Sequence, residues 1–280
     1  MAIDPPTISH QATNQHLEAV VARNHTELFC RNAIVRGGEV RIVDGLVYTY
    51  QGKGHQSMIA FPALEADKAD GQLDEMMEWY RMRPNKGLGC WSLAPAQPGD
   101  LGERLKARGF QNGWRPCWMA LELGEDGREG DGEQGDGRRD IQIVADNRLS
   151  LHKIKDLPYT GREGAIAYEL LYHHPEQVQQ LVAFERGKVV GHSAVFFTTG
   201  PLGAAGIYNV AVMPSARGRG IGKALVSAAC KVGRERGHRY AVLNATGRRM
   251  YEQLGFRWIG DGYTWWMLTP QEHLPTGFPL

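Results

Sequence analysis

The chain has 280 residues, and 42% of them are hydrophobic, which is ordinary for a water-soluble globular protein. A chain of this length favours two domains over one. The 32 basic and 31 acidic side chains leave a net charge of only +1. This balance excludes the strong basic field that nucleic acid or an anionic membrane surface requires, so we predict neither as a partner.

The N-terminal residues 1–11 have neither the basic start nor the apolar centre of a secretory signal. No run approaches the ~18 apolar residues of a membrane span. The four cysteines, at positions 30, 90, 117 and 230, contain no CxxC pair. Their spacing indicates neither a zinc site nor a disulfide framework, so we expect reduced thiols in the cytoplasm and no metal.

A glycine-rich, charged segment divides the chain. Residues 124–140 read GEDGREGDGEQGDGRRD and contain no apolar side chain, so they cannot bury a face. Such composition is typical of a flexible linker. We therefore predict one domain over residues 1–123 and a second over residues 141–280.

The second half alternates short strands and helices. Two β-rich runs flank Gly187 and predict a hairpin, and a third run ends before Pro214, which cannot donate to a ladder. An apolar stripe at steps of three and four residues then predicts a helix that stops at Gly237. The predicted strands cover residues 180–186, 188–198, 205–213, 240–244, 258–259 and 263–268, the last two as an antiparallel pair, and a short helix covers residues 248–254.

An internal repeat links the two halves. RGF at 108–110 matches LGF at 254–256, and CWM at 117–119 matches WWM at 265–267. FP at 61–62 also matches MP at 213–214, and all three matches share an offset of about 150 residues and the same order. We interpret this pattern as a duplication of one folding unit.

The turn at residues 217–222 reads RGRGIG and lies between a predicted strand and a predicted helix. Glycines let backbone N–H groups point inward without a Cβ in the way, and the first helical turn adds unpaired N–H groups and a positive dipole end. This combination predicts a pyrophosphate site. Arg217, Arg219 and Lys223 would add cationic contacts to phosphate.

Other nucleotide-binding motifs fit this turn poorly. A Rossmann loop would have an acidic residue about 20 positions further on, and this chain has His238, Arg239 and Tyr240 there. A P-loop would continue with GK[ST], and here Ala224 follows Lys223.

Residues 207–222, IYNVAVMPSARGRGIG, resemble the acyl-CoA-binding motif V-x-P-x-x-R-x-x-G-x-G of the GNAT superfamily. Downstream, Asn244 and YEQLGF at 251–256 resemble its strand asparagine and its Y-x-x-x-G-F motif. The resemblance covers residues 140–270 strongly and residues 1–123 only as a degenerate copy. It implies an α/β (α+β) fold of two tandem GNAT-like domains, each a mixed, curved, mostly antiparallel sheet flanked by helices.

The resemblance also implies a set of cofactor contacts, with acetyl-CoA as co-substrate. Backbone groups of Val210, Ala211 and Val212 would pair with the pantetheine arm, and the amide of Val212 would face the thioester oxygen. Asn244 would bind the same arm. Backbone amides in the glycine-rich turn would hold the pyrophosphate, namely those of Gly218, Gly220, Ile221 and Gly222.

The implied reaction is direct attack of an amine on the acetyl thioester. Tyr251 is the candidate acid for the leaving thiolate. Many members of the superfamily carry an acidic residue where this chain has Tyr208 and Asn209, so the base stays open. A water relay through Tyr208 and Asn209 is one candidate, and Glu185 and His192 are two others.

The acceptor is not identified by the sequence. A small-molecule amine is our leading prediction, a protein lysine or N-terminus is the alternative, and a non-catalytic acyl-CoA sensor or scaffold is a third. The first half has Glu65, Asp67 and Asp70 where a phosphate cradle would need glycine and cations, so we predict that it binds no CoA. We expect it to cover the acceptor cleft through Trp79, Tyr80, Trp91 and Trp114, in a monomer or homodimer.

Overall fold

The computed structural model describes residues 12–124, 141–160 and 164–268. The predicted linker lies outside these residues, except for Gly124. Of the helices in the described ranges, none combines the length and the apolar character that crossing a bilayer requires.

Six α-helices and twelve strands form in these residues. The helices are α1 (Asn14–Val35), α2 (Ala69–Arg81), α3 (Leu101–Ala107), α4 (Tyr168–His173), α5 (Ile221–Glu235) and α6 (Arg248–Glu252). The strands are β1 (Glu39–Val43), β2 (Leu46–Tyr50), β3 (Ser57–Ala60), β4 (Gly87–Leu93), β5 (Gln111–Asn112), β6 (Cys117–Glu122), β7 (Ile141–Ala145), β8 (Val178–Glu185), β9 (Lys188–Phe197), β10 (Ala205–Val212), β11 (Tyr240–Ala245) and β12 (Arg257–Leu268). The predicted hairpin, strands and helices of the second half are confirmed up to residue 256.

The strands form one continuous sheet in the order β1-β2-β3-β4-β12-β6-β11-β10-β9-β8-β7, with β5 beside β12. All neighbours are antiparallel except β3 with β4 and β10 with β11. In both exceptions a helix connects the two parallel strands, α2 in the first half and α5 in the second. A parallel pair needs such a crossover, so the same unit occurs once in each half.

The end of β12 departs from the sequence prediction. Residues 258–259 and 263–268 do not pair with one another but belong to one twelve-residue strand. Its first part, from Arg257 to Asp261, pairs with β6, and its second part, from Gly262 to Leu268, pairs with β4. One strand therefore runs from the sheet of the second half into the sheet of the first.

Each half gives its last strand to the other. β6 follows the elements of the first half but pairs with β11 of the second half, whereas the end of β12 lies between β4 and β5 of the first half. The predicted division into residues 1–123 and 141–280 thus describes the order of the chain, and the sheet itself has no boundary there.

The repeated turns have the same local structure. Gly109 and Gly255 both have a left-handed backbone, with φ of +93° and +87°. The following phenylalanines, Phe110 and Phe256, are buried and donate backbone hydrogen bonds to Leu105 and Tyr251, five residues back. This is the Schellman-type helix ending that favours glycine. It supports the duplication read from the sequence.

Helix α1 belongs to the first half but packs on the sheet of the second. Asn24 is fully buried, and its amide nitrogen donates to Thr198 Oγ1 at 3.1 Å and to the carbonyls of Phe196 and Ala204. Gly206 on β10 permits this approach, because a Cβ there would lie 2.0 Å from Asn24 Oδ1. The helix thereby covers the sheet face opposite α5.

Candidate active site

Strands β10 and β11 diverge soon after they begin. They pair only at Ala205 with Ala241 and at Gly206 with Val242. Beyond these two positions the edges of both strands face an open gap. Backbone N–H and C=O groups that line such a gap can pair with an extended, amide-bearing ligand as a neighbouring strand would.

A β-bulge directs the β10 backbone into this gap. The register with β9 shifts between Tyr208 and Ala211, and Asn209 within the bulge has φ of +53°. Asparagine is among the few residues that adopt this left-handed conformation readily. Beyond the bulge, Met213 N donates to Val190 O on β9, and N–H groups alternate sides along a strand. The amide of Val212 therefore faces away from β9, toward the gap.

The glycine turn forms the far end of the gap. Gly218 and Gly220 have φ of +74° and +77°, and Gly220 is the N-cap of α5. The first α-helical backbone hydrogen bond runs from Ala224 N to Gly220 O. The N–H groups of residues 221–223 therefore have no acceptor within the helix. Gly222 also lies close to Met250, whose Sδ would be 3.3 Å from an added Cβ. These features fit a pyrophosphate group.

The cations around the turn are not equally available. Arg219 is paired with Glu185, with two N–O distances of 2.9 Å. Arg217 donates from Nε to the Val212 carbonyl at 3.3 Å, and Lys223 is exposed on the first turn of α5. Glu185 therefore orients the turn through Arg219. This ion pair does not fit the predicted role of Glu185 as a base.

Asn244 is held beside the gap on β11. Its Oδ1 accepts a hydrogen bond from the backbone N of Cys117 on β6 at 3.0 Å. The exchanged strand of the first half thus fixes the orientation of this amide. The Nδ2 group is the part that the predicted cofactor contact would use.

Tyr251 lies in the core between α5, α6 and the sheet. It is buried, and its ring contacts Phe256 edge-on at 6.0 Å. Burial, with a smaller contribution from Tyr159, raises the pKa of its phenol to about 12. Tyr251 is therefore a protonated donor at every physiological pH.

Tyr208 does not fit the water relay predicted for it. Its hydroxyl donates to Asn24 Oδ1 at 2.6 Å and lies 3.1 Å from His25 Nδ1. Burial raises the pKa of Tyr208 well above its usual range. The side chain is therefore an anchor for α1, and the sheet alternation points it away from α5.

His192 takes a different position from the other candidate bases. It lies on β9 and pairs with Ala211, the residue that precedes Val212 on β10. Its Nε2 is 2.8 Å from the carbonyl oxygen of Pro158. A carbonyl only accepts, so Nε2 carries the proton and Nδ1 keeps its lone pair. Burial lowers the pKa of His192, which keeps the imidazole neutral near pH 7.

A cavity of about 70 Å³ borders His192 and Asn209. Tyr159 also lines it, and the same residue contributes to the raised pKa of Tyr251. Asn209 Oδ1 accepts from the backbone N of Ala165, which ties the bulge to the loop at the cavity edge. The cavity thus lies beside α4, over β8, β9 and the bulge of β10.

The cavity lining differs from the sequence prediction. Trp79 and Tyr80 belong to the core of the first half, and Trp91 and Trp114 pack in an aromatic cluster with Trp118. None of these four lines the cavity among the described residues. Sequence reasoning instead missed Tyr159 and Tyr168, for which the only signal was an aromatic residue beside a Gly-containing loop and one on a short helix.

The corresponding place in the first half is closed. β3 and β4 pair over four positions, and Phe61 N then donates to Trp91 O at 2.7 Å, so the strands do not diverge there. Asp70, at the start of α2, is ion-paired with Arg104 and Arg108. This geometry supports the prediction that the first half binds no CoA, which stays a prediction.

The second half of the chain is similar in sequence to known proteins. Residues 148–256 match the model of the acetyltransferase (GNAT) family. Over 115 residues, the chain is 36% identical to a glucosamine 6-phosphate N-acetyltransferase of Trypanosoma brucei brucei, covering 39% of this chain and 71% of that protein.

Solved structures share the whole two-part fold. A GCN5-related N-acetyltransferase from Kribbella flavida aligns over 92% of this chain and 97% of its own, with a TM-score of 0.66 and 15% identity. A tandem GNAT protein from the clavulanic acid biosynthesis pathway aligns over 93% and 98%, with a TM-score of 0.58 and 14% identity. With the sequence match to a curated relative, these results establish that the chain belongs to the GNAT family and is an N-acetyltransferase of tandem architecture.

Proposed function

We propose that this protein transfers an acetyl group from acetyl-CoA to the primary amine of a small molecule, by direct attack of the amine on the thioester. The observation that carries the proposal is the divergence of β10 from β11, followed by the glycine turn at the start of α5. The relative from Trypanosoma brucei brucei is also named for a small amine.

The chain offers a contact for each part of the co-substrate. Amides of the glycine turn would hold the pyrophosphate, with Arg217 and Lys223 as the nearest cations. The edge of β10 from Val210 to Val212 would pair with the pantetheine arm, and Asn244 Nδ2 would bind it from β11. When bound, acetyl-CoA supplies the acetyl thioester and a thiolate leaving group.

The amide of Val212 would stabilise the negative charge that develops on the acyl oxygen. An amine with a pKa of about 10.4 must lose a proton before it attacks, and this first proton passes to solvent. His192 would accept at Nδ1 the second proton, which the nitrogen loses as it bonds to the acyl carbon, because Nε2–H is held by Pro158 and the lowered pKa leaves the ring neutral. Asn209 would position the amine or a water beside it.

Tyr251 would donate a hydrogen bond to the departing sulfur. A thiol has a pKa of about 8.5, so a phenol with a pKa of about 12 is the weaker acid of the two. Complete proton transfer from Tyr251 to the thiolate is therefore uphill. We expect its contribution to come from a fixed O–H dipole, with solvent completing the protonation of the thiol.

We favour a small acceptor over a protein acceptor, because the relative that matches over 115 residues is named for a small amine. A cytoplasmic location and a monomeric or dimeric state stay predictions. The sensor or scaffold alternative would retain acetyl-CoA binding without turnover, and the experiment below separates it from the enzyme.

The test uses the full-length protein and its Gly222→Glu variant. A glutamate in the first turn suits the helix dipole, so the variant should fold, but it adds negative charge where phosphate binds. Gly71→Glu on α2 is the matched control, since a Cβ there meets nothing within 4 Å. We expect wild type and control to bind acetyl-CoA and release thiol with an amine panel, and Gly222→Glu to lose at least 100-fold in affinity. Wild-type affinity in folded Gly222→Glu protein would remove the cradle assignment.

A further inference from the structure

The acceptor cavity has no full charge in its described lining. Its residues carry imidazole, phenol, hydroxyl, amide and apolar groups, but no carboxylate, ammonium or guanidinium group. The described lining consists of Asn147, Leu149, Leu151, His152, Tyr159, Thr160, Gly164, Ile166, Tyr168, Leu171, Gln180, His192, Ala194 and Asn209. A phosphate is normally bound through cations or clustered N–H donors, and the described lining has no cationic side chain.

Most of the lining amides are already occupied. Asn147 donates to the carbonyls of Leu171 and Val178 at 2.9 and 2.8 Å and accepts from Gln180 N at 2.7 Å. The side chain of Gln180 donates to the carbonyls of Asp146 and Leu149. Groups with satisfied hydrogen bonds offer little to a ligand rich in hydroxyls.

Polar groups with remaining capacity lie at the inner end. His192 Nδ1 keeps its lone pair, and Asn209 uses only Oδ1 in its bond to Ala165 N. His192 pairs with Ala211 on β10, and Asn209 lies in the bulge of the same strand. The cavity therefore offers free polar groups on the β10 side, where the amine would react.

An exposed aromatic surface continues the cavity outward. Tyr168 lines the cavity, and its ring stacks on Tyr172 with centroids 6.0 Å apart and planes at 22°. The rings are 46% and 50% exposed, and His152 contacts Tyr168 edge-on at 6.2 Å. Exposed, prearranged rings of this kind bind flat or apolar ring faces with little entropic cost.

We propose that the acceptor is an aromatic primary amine, a ring joined to a short alkylamine arm, with its ring on Tyr168 and its nitrogen at His192. This rests on the proposed acetyl transfer and specifies its substrate class. It also separates this protein from its relative named for a phosphorylated amino sugar.

The experiment measures amine binding and turnover separately on the full-length protein. Phenethylamine, glucosamine, glucosamine 6-phosphate and a lysine-containing peptide are compared by kcat/KM at saturating acetyl-CoA, and by calorimetry without it. We expect kcat/KM for phenethylamine to exceed that for glucosamine 6-phosphate by at least 100-fold. Tyr168→Ala should raise the KM for phenethylamine about tenfold with kcat and acetyl-CoA affinity unchanged, whereas Tyr168→Phe should behave as wild type.

The control is Ile42→Ala, which removes an apolar side chain that is 75% exposed on β1 at the far edge of the sheet. A preference for glucosamine 6-phosphate or the peptide, or an unchanged KM in Tyr168→Ala, would overturn the acceptor class and leave acetyl transfer intact. Loss of acetyl-CoA binding in the wild type would instead overturn the proposed function. Saturable phenethylamine binding that Tyr168→Ala weakens would still support the acceptor site in that case.

Discussion

His192 depends on one carbonyl oxygen for its proposed role as base. Pro158 fixes the tautomer by accepting from Nε2, and burial keeps the ring neutral by lowering its pKa. A glutamine at this position could still donate from its own Nε2 to Pro158, yet it has no basic nitrogen. This isosteric exchange therefore separates the hydrogen bond from the proton transfer.

We expect His192→Gln to lower kcat about 100-fold and to change the pH profile. In the wild type, log kcat should fall only when His192 gains a proton, at a pH below the ordinary value of 6.5, because burial depresses its pKa. The variant should lack this acid limb. His173→Gln, at an exposed histidine, serves as the control. An acid limb that persists in His192→Gln would assign the base elsewhere.

Tyr251→Phe removes the hydroxyl and leaves the ring against Phe256. Because the hydroxyl acts on charge that forms only during the reaction, we expect kcat to fall 10- to 100-fold and the acetyl-CoA Kd to change less than twofold. Tyr240→Phe, at another buried tyrosine, should leave both unchanged. Equal turnover in the two variants would exclude Tyr251 from the mechanism.

The local conformation of the glycine turn could be predicted from the sequence, whereas its binding role stays a prediction. Gly218 and Gly220 have the left-handed backbone that glycine adopts most readily. Tyr208 and Glu185 make contacts that the sequence did not indicate, because their partners, Asn24 and Arg219, lie elsewhere in the chain. No local sequence pattern indicates such tertiary contacts.

At the level of elements, α1 links the two halves at the cavity edge. Asn32 donates from Nδ2 to Ala165 O and accepts at Oδ1 from Ala167 N, both at 2.8 Å. Ala165 N in turn donates to Asn209 of the bulge. A helix of the first half therefore holds the loop that borders the acceptor cavity. The sequence instead predicts that aromatic side chains of this half cover the cleft.

Asn32→Ala should loosen this loop, because it leaves the groups of Ala165 and Ala167 without their partner. We expect a loss of about 1–3 kcal/mol in the free energy of unfolding and a several-fold higher KM for the amine, with acetyl-CoA affinity unchanged. Asn14→Ala, an exposed position on the same helix, is the control. Denaturant unfolding and steady-state kinetics measure both effects, and an unchanged KM would show that the loop is held by other contacts.

The type of each element from β8 to β12 could be predicted, whereas β7, α4 and the choice of partner strand could not. The periodicity of β11 and of residues 257–268 indicates strands without saying that β6 lies between them. In both of these pairings, the paired residues are more than 100 positions apart in the chain. The sequence offered only the repeat at residues 117–119 and 265–267, and that repeat marks the two exchanged strands.

For the whole molecule, the exchange predicts that neither half folds alone. Without residues 262–268, the first half has β4 as an unpaired edge, and without residues 117–122 the second half has β11 as one. Exposed edges of this kind promote aggregation. We expect residues 1–124 and 141–280 to be insoluble when expressed separately and to restore acetyl-CoA binding when co-expressed. A soluble, acetyl-CoA-binding 141–280 fragment would contradict this.

The exchange also orders events while the protein is being made. The ribosome releases β6 long before β11 exists, and it releases β4 long before its neighbour at the end of β12. The sheet of the first half therefore stays incomplete until almost all of the described chain has emerged. A pause in translation after residue 124 would lengthen that vulnerable interval, so the nascent chain is a natural client for a holding chaperone.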